Sequence, residues 1–191
     1  VAAGQPTAIV AASASHTAAT LVQHAMSATA FRVYTSDDVI GVELGGALKN
    51  VMAVATGILD GLGLGFNPRA ALMTRGLAEM TRLGVALGAR GETFAGLAGL
   101  GDLVLTCTGA LSRNRALGVA IGQGQSLEDA LAGKDTVAEG VLNTQSAREL
   151  AHRAGVEMPI IEATHRILFD GQAPREAIDE LMMRELRAER D

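Results

Sequence analysis

Residues 43–51 read ELGGALKNV, and they lead into a long apolar stretch. Between Leu44 and Leu59 the one charged residue is Lys49, and nearly all of its neighbours are apolar or small. A helix that is apolar on every side belongs in a protein core rather than on a surface. The stretch therefore predicts a core helix that carries a single cation near its middle.

That cation is unfavourable in a core unless something pairs with it. Three residues one turn away are tiny, and they are expected to leave space for a group that is not protein: Gly45, Gly46 and Ala53. Desolvation favours the neutral form of a lysine, which can then accept a proton. The alternative is a structural lysine whose ammonium reaches the surface along a buried helix. Position alone leaves both interpretations open.

Composition restricts the function classes. The chain has 191 residues, 48% of them hydrophobic and 19% charged, with a net charge of -5, so it can form a substantial core. It has no basic block, and Lys49 and Asn50 interrupt its longest apolar stretch, so we expect neither nucleic-acid binding nor membrane insertion. Its single cysteine and four separated histidines predict neither a disulfide nor a metal site.

The first 36 residues show the pattern of a strand-helix-strand unit. Residues 7–12 and 31–35 are typical of strands, and Ser15 can cap a helix over residues 16–26. Two strands alone do not form a stable sheet, and no further strand pattern follows. We therefore expect residues 1–36 to be the end of a larger sheet whose other strands lie outside this chain.

From residue 37 onward the pattern is helical, so we expect a single all-helical domain over residues 37–191. Ser36 is the predicted N-cap of the long helix, which should end near Asp60. Pro68 is expected at the first position of the next helix. The glycine run at 61–65 follows a helix rather than a strand, so it does not indicate a dinucleotide-binding loop. Thr136 and Glu139 have the spacing of a capping box ahead of a later helix.

Two further polar sites are candidates for chemistry. Ser112, Arg113 and Asn114 open a predicted helix, where free backbone N–H groups and the helix dipole favour an anion. Arginine also suits a phosphate group, because its planar guanidinium group donates two parallel hydrogen bonds. The alternative is an ordinary serine cap followed by a solvated arginine. Asp102 ends a glycine-rich run and could bind a substrate hydroxyl, hold Lys49, or simply bond its own turn.

Seven segments, taken in order, resemble the C-terminal two-thirds of bacterial NAD(P)-dependent glycerol-3-phosphate dehydrogenases. Each segment is weak evidence alone, but together they are specific and cover almost the whole chain. They are GQPTA at 4–8, ELGGALKNV at 43–51, NPRAAL at 67–72, RGLAEMTR at 75–82, GLGDLVLTCT at 99–108, SRN at 112–114 and VAEG at 137–140.

The resemblance implies a fold and a reaction. The fold would be mainly α, a helical substrate domain of the 6-phosphogluconate-dehydrogenase-like type, preceded by a βαβ remnant of a Rossmann-type domain. The reaction would interconvert dihydroxyacetone phosphate and sn-glycerol 3-phosphate with NAD(P)H, in the cytoplasm, for phospholipid synthesis. The partners would be the small-molecule substrate and the missing N-terminal dinucleotide domain, with a homodimer as a candidate assembly. Without that domain, we expect the chain alone to be nearly inactive.

The resemblance also implies residue roles. Lys49 would be the catalytic proton acceptor for the C2 hydroxyl and would contact substrate. The other substrate-binding residues would be Asp102, Ser112, Arg113 and Asn114. The cofactor-binding residues would be Arg113, Val137 and Glu139, although the capping box already offers a structural reason for Glu139.

Two other functions remain candidates from the sequence. One is a different two-domain NAD(P)-dependent dehydrogenase, whose hydroxy-acid substrate has a carboxylate to bind in place of a phosphate. The other is a non-catalytic helical module that assembles with a partner chain. The second alternative gives no reason for Lys49, Asp102 and Arg113 to share one pocket.

Overall fold

A computed structural model describes residues 3–133, 138–186 and 188. The chain begins with strand β1 (Thr7–Ala12), helix α1 (His16–Met26) and strand β2 (Phe31–Ser36). The two strands are parallel and pair from Thr7 with Phe31 to Ala12 with Ser36. Ser15 caps α1 as predicted, because its side chain accepts the N–H of Ala18.

Helices form the rest of the described chain, which confirms the prediction of a mainly helical fold. A single π-helical turn, here called the π-turn (Leu97–Gly101), runs directly into α5. The helices are α2 (Val39–Gly61), α3 (Phe66–Ala86), α4 (Gly91–Ala95), α5 (Asp102–Thr108), α6 (Arg113–Gly122), α7 (Leu127–Leu131), α8 (Glu139–Ala154), α9 (Pro159–Phe169) and α10 (Pro174–Met182).

Helix α2 is the centre of the core. Its residues contribute to two hydrophobic clusters, one shared with α3, α4, α5, α8 and α9 and the other with α6, α7 and the end of α9. Val51, Met52, Ala53 and Val54 are fully buried. The prediction of a core helix around Lys49 is therefore confirmed, since these four consecutive residues point in different directions around the helix and are all buried.

By length and composition alone, α2 is long and apolar enough to cross a membrane, although Lys49 and Asn50 interrupt its apolar stretch. It is the one such helix among the described residues, and 56% of its most apolar window is buried inside the protein. A central core helix has the same composition as a membrane span, so burial accounts for this apolar character.

The beginning of α2 differs from the prediction. Asp38, not Ser36, is the N-cap, so no acid lies in the first turn. The Asp38 carboxylate accepts the N–H of Gly41, the N–H of Arg90 and the hydroxyl of Thr93. Burial raises the pKa of Asp38, but these hydrogen bonds outweigh burial and lower the pKa below 3.8. The reason is tertiary, because the Asp38 carboxylate meets donors from α4 and from the loop before it.

The start of α3 is a smaller correction. The helix begins at Phe66, so Pro68 lies at its third position rather than its first. Proline is tolerated throughout the first helical turn, because the N–H groups there have no partner within the helix. The sequence therefore identified the element correctly and displaced its boundary slightly.

Two pairs of glycines bring α2 and α6 into backbone contact. A Cβ added to Gly57 would lie 2.9 Å from the Cα of Gly118, and one added to Gly61 would lie 2.9 Å from the Cα of Gly122. No side chain fits between the helices at these positions. The contact fixes α6 against α2, and with it the α6 N-terminus, where the predicted anion-binding residues lie.

Candidate functional site

Lys49 and Asp102 form an ion pair between the middle of α2 and the first residue of α5. Their side chains are 20% and 32% exposed, respectively. The sequence left three roles open for Asp102, and this geometry matches the one in which its carboxylate holds Lys49. The ammonium is thus paired with a carboxylate and partly open to solvent, rather than enclosed without a partner in the core.

The space beside Lys49 is only partly as predicted. A Cβ on Gly46 would meet no heavy atom within 4 Å, so this side of the helix is open. Gly45, in contrast, is filled by the π-turn, because a Cβ there would lie 2.3 Å from the carbonyl oxygen of Ala98. Ala53 is fully buried in the core. The open space for a non-protein group therefore lies on the Gly46 side.

A ring of amide hydrogen bonds adjoins Lys49 in the chain. Asn50 donates to the carboxylate of Glu139 over 3.2 Å, and Asn114 donates to the side-chain oxygen of Asn50 over 3.0 Å. The side-chain oxygen of Asn114 in turn accepts the N–H of Gly140 over 2.9 Å. These bonds join α2, the first turn of α6 and the N-terminus of α8. The predicted residues Lys49, Asn114 and Glu139 are thus connected through Asn50.

The three residues that open α6 have different environments. The Ser112 hydroxyl caps the helix by accepting the N–H of Arg115, and Asn114 is buried in the amide ring. Arg113 is exposed. The predicted helix start is confirmed, whereas the substrate and cofactor roles of these residues stay predictions. Of the three, the exposed guanidinium of Arg113 is the group placed to meet a ligand from solvent.

The cofactor residues taken from the resemblance are described only in part. Val137 and Thr136 lie outside the described residues. Helix α8 has Ala138 as its N-cap rather than Thr136, so the predicted capping box is wrong. Glu139 is exposed, and its carboxylate accepts from Asn50 instead. The hydrogen bond from Asn50 thus replaces the capping box as the structural role of Glu139, and its cofactor-binding role stays a prediction.

Sequence reasoning missed three polar residues around the site. Thr106 lies one turn after Asp102 and donates to its backbone oxygen and, over 3.3 Å, to its carboxylate. Asp60, at the end of α2, is clamped between Arg69 of α3 and Arg115 of α6. Asn50 carries the amide ring. A local signal existed for Thr106, because residues four apart in a helix are neighbours and Asp102 lies four residues before it. A signal also existed for Asn50, which is a polar residue in an otherwise apolar helix. No local signal predicted that Asp60 pairs with two arginines.

Other chemistries lack a site in the part of the chain that is described. The Cys107 thiol is buried, and burial raises its pKa to about 11, so it stays protonated and is a poor nucleophile. No cluster of three or more metal-ligating residues was found there. A cavity of about 540 Å³ lies away from Lys49, between the C-terminal helices, and its arginines pair with glutamates: Arg148 with Glu162, Arg166 with Glu180 and Arg184 with Glu157.

Known proteins resemble this chain closely. The family model for the NAD-dependent glycerol-3-phosphate dehydrogenase C-terminus matches residues 38–179. A glycerol-3-phosphate dehydrogenase [NAD(P)+] from Geobacter sulfurreducens is 61% identical over 97% of this chain and 55% of its own length. One from Syntrophotalea carbinolica is 60% identical over 100% of this chain and 57% of its own length.

Solved structures agree with these sequence relatives. The crystal structure of glycerol-3-phosphate dehydrogenase from Coxiella burnetii superposes with a TM-score of 0.92 at 48% identity, over 96% of this chain and 56% of that one. The chain therefore spans about half the length of the curated relatives that it matches. The matching family model, together with relatives of this identity across nearly the whole chain, shows that the chain belongs to the NAD-dependent glycerol-3-phosphate dehydrogenase family.

Proposed function

We propose that the full-length protein that carries this chain interconverts dihydroxyacetone phosphate and sn-glycerol 3-phosphate with NAD(P)H. Residues 37–191 are its helical substrate-binding domain, and residues 1–36 are the last part of its dinucleotide-binding domain. The observation that supports this most directly is the Lys49–Asp102 pair, which has open space at Gly46 on the same helix. Asn50, the residue after Lys49, is hydrogen-bonded to Asn114 in the first turn of α6. The parallel pairing of β1 with β2 is consistent with the end of a Rossmann-type sheet.

Lys49 has the proton role in this proposal. During reduction, its ammonium donates a proton to the oxygen that develops negative charge at C2, and during oxidation the amine takes the proton from the C2 hydroxyl. Asp102 holds the Lys49 side chain in one direction, which removes the need to order a long, flexible chain at each turnover. Thr106 in turn donates to Asp102 and restrains the carboxylate.

The substrate phosphate is the ligand proposed for the α6 N-terminus. Arg113 supplies an exposed guanidinium there, and the helix dipole adds a partial positive charge. Ser112 and Asn114 complete the proposed seat, and they also hold it in shape, since Ser112 caps α6 and Asn114 binds both Asn50 and Gly140. Arg113 therefore provides the charge in this seat, and its neighbours provide the geometry.

The described cofactor residues fit a nucleotide. The exposed cation of Arg113 suits a phosphate, and the exposed carboxylate of Glu139 suits a hydroxyl or amide donor. Gly140 is packed so tightly that a Cβ would lie 2.8 Å from the Asn50 carbonyl oxygen, so the N-terminus of α8 is held against α2. Bound NAD(P)H would supply the hydride. Val137 is proposed as the third cofactor contact from the resemblance alone.

The cellular setting follows from the proposed reaction. Its product would supply the backbone of phospholipids, and the full-length protein would work in the cytoplasm. A homodimer is the candidate assembly. Because hydride transfer depends on a nicotinamide held by the rest of the dinucleotide domain, the chain alone should show little turnover.

The test uses the full-length protein and follows NADPH oxidation after dihydroxyacetone phosphate is added. Lys49→Ala should lower kcat by roughly 100-fold or more, the usual contribution of a positioned proton donor, with an unchanged far-UV circular dichroism spectrum. Arg166→Gln, at an ion pair in the distant cavity, is the matched control and should retain turnover. Normal turnover in Lys49→Ala would remove Lys49 from this role.

The same assay separates the other functions. Turnover of a 2-oxo acid, but not of dihydroxyacetone phosphate, would indicate a hydroxy-acid dehydrogenase. A non-catalytic assembly module would turn over neither, and glycerol 3-phosphate would leave its melting temperature unchanged. Under the proposal, glycerol 3-phosphate raises the melting temperature, because a ligand that binds only the folded state stabilises it.

A further inference from the structure

Helix α2 makes two contacts with the π-turn and the start of α5, and both contacts join residues with the same separation in the sequence. Gly45 meets the backbone of Ala98, and Lys49 meets Asp102. The partners in both pairs are 53 residues apart in the sequence, since 98 − 45 and 102 − 49 are equal. The backbone contact therefore lies four residues, about one helical turn, before the ion pair on both segments.

The backbone contact leaves no room for a side chain. Gly45 is buried, and a Cβ added there would lie 2.3 Å from the Ala98 oxygen and 3.2 Å from the Ala98 carbonyl carbon. Both atoms belong to the main chain of the π-turn, so neither can rotate away as a side chain could. Gly45 and Lys49 lie on the same face of α2, because residues four apart in a helix are neighbours.

The π-turn also packs against the end of α4. A Cβ on Gly99 would lie 2.1 Å from the carbonyl oxygen of Phe94, and Phe94 itself is fully buried. The π-turn closes on itself when Gly101 donates to the oxygen of Gly96 over 3.1 Å. It is thus wedged between α2 and the end of α4, with Asp102 directly after it. A methyl group at position 45 must move this segment, and Asp102 moves with it.

We propose that Gly45 is a positioning residue, whose missing side chain sets the distance at which the Asp102 carboxylate meets the Lys49 ammonium. Its consequence for turnover rests on the function proposed above. The residue itself touches neither the substrate nor the cofactor, and it acts through the π-turn. Single-turn π-helices occur often at functional sites, and the role of this one is to aim Asp102 at α2.

The experiment measures kcat and KM for the full-length protein with Gly45→Ala, Asp102→Asn and both changes together. Gly45→Ala should lower kcat roughly 100-fold, the effect expected of a 1 Å displacement, and leave the KM for NADPH unchanged. In the Asp102→Asn background the same change should lower kcat by less than about threefold, because residues that act through one interaction are not additive. Glutamate is longer than aspartate by one methylene. As a single change, Asp102→Glu should lower kcat, whereas the same change added to Gly45→Ala should raise kcat above that of Gly45→Ala.

Matched controls separate positioning from general damage. A Cβ on Gly91 would meet only ordinary contacts at 3.8 and 3.9 Å, so Gly91→Ala should retain kcat. Gly118→Ala places a methyl group 2.0 Å from the Val54 oxygen, in a contact that does not involve the π-turn. Gly118→Ala should destabilise the protein, and the factor by which it changes kcat should be the same in the wild-type protein and in Asp102→Asn.

Three outcomes would overturn the positioning role. They are a Gly45→Ala protein with normal kcat, an equal fold-loss of kcat in both backgrounds, and a Gly45→Ala protein that does not fold although Gly118→Ala does. Urea unfolding of the four proteins of the cycle adds a readout that needs no turnover. If the full-length protein does not reduce dihydroxyacetone phosphate at all, the proposed function fails, while non-additive unfolding midpoints for Gly45→Ala and Asp102→Asn still support the positioning role.

Discussion

The side-chain amide of Asn114 donates to the side-chain oxygen of Asn50 over 3.0 Å, which ties the first turn of α6 to α2 next to Lys49. Asn114 is buried, and it also accepts the N–H of Gly140. One side chain thus links three helices at the candidate site. Its loss leaves two polar groups without their partner.

Asn114→Ala should therefore destabilise the protein by about 2 kcal/mol, since each buried polar group left without a hydrogen bond costs about 1–3 kcal/mol and some rebinding of water is expected. Urea unfolding measures the change. Asn67→Ala is the matched control, because Asn67 is exposed on the first turn of α3. Equal unfolding midpoints for the two variants would contradict a structural role for the amide ring.

Glu79 should make stability depend on pH. Both of its carboxylate oxygens accept the N–H of Ile160, at 3.0 and 3.1 Å, and burial raises its pKa from 4.5 to about 7 against the opposing effect of these bonds. A pKa that is raised on folding stabilises the protein fully below the unfolded pKa of 4.5, and this contribution disappears as pH rises to about 7. At about 1.4 kcal/mol per pH unit, the change is roughly 3 kcal/mol.

Glu79→Gln tests this contribution because glutamine keeps an acceptor for Ile160 but does not ionise. Wild-type stability relative to the variant should fall by roughly 2.5 kcal/mol between pH 5 and pH 8, measured by urea unfolding at each pH. Above pH 7 the variant should be the more stable of the two. Parallel stability curves would show that Glu79 ionises normally in the folded protein.

Neutralising Asp60 should destabilise the protein strongly. Its side chain is 8% exposed and pairs with both Arg69 and Arg115. Asp60→Asn leaves two guanidinium groups facing each other without an anion, and removal of one partner from a buried ion pair costs about 3–5 kcal/mol. Thermal or urea unfolding measures the loss.

The control for this loss is an exposed pair on the same protein. Asp37 pairs with Arg90, with side-chain exposures of 74% and 53%. Asp37→Asn should leave the unfolding midpoint nearly unchanged, since exposed pairs are screened by water and salt. If the two variants lost similar stability, burial would not explain the effect of Asp60.

The glycine contact between α2 and α6 should resist any added side chain. Gly118→Ala raises intrinsic helix propensity by nearly 1 kcal/mol, yet the methyl group would overlap the backbone of α2. Overpacking of this kind costs about 1–3 kcal/mol, so the net effect should be a loss of stability. Gly91→Ala, where the added methyl group would make only ordinary contacts, should show no loss, and calorimetric melting of both variants compares them.

The sequence by itself determined the order of the elements and one anomaly inside them. Ser15 and Ser112 cap the helices that the sequence predicts after them. These signals act within a few residues, so they can be read locally. Lys49 stood out for the same reason, as a charge in an otherwise apolar helix.

Tertiary structure alone decided which groups meet. Asp102 is one of 21 acidic residues, and only the packing of the π-turn on Gly45 makes it the partner of Lys49. Likewise Asp38 replaces Ser36 as the cap of α2 because donors arrive from Arg90 and Thr93. A helix signal extends over one turn, whereas a pair 53 residues apart depends on how closely two backbones can approach.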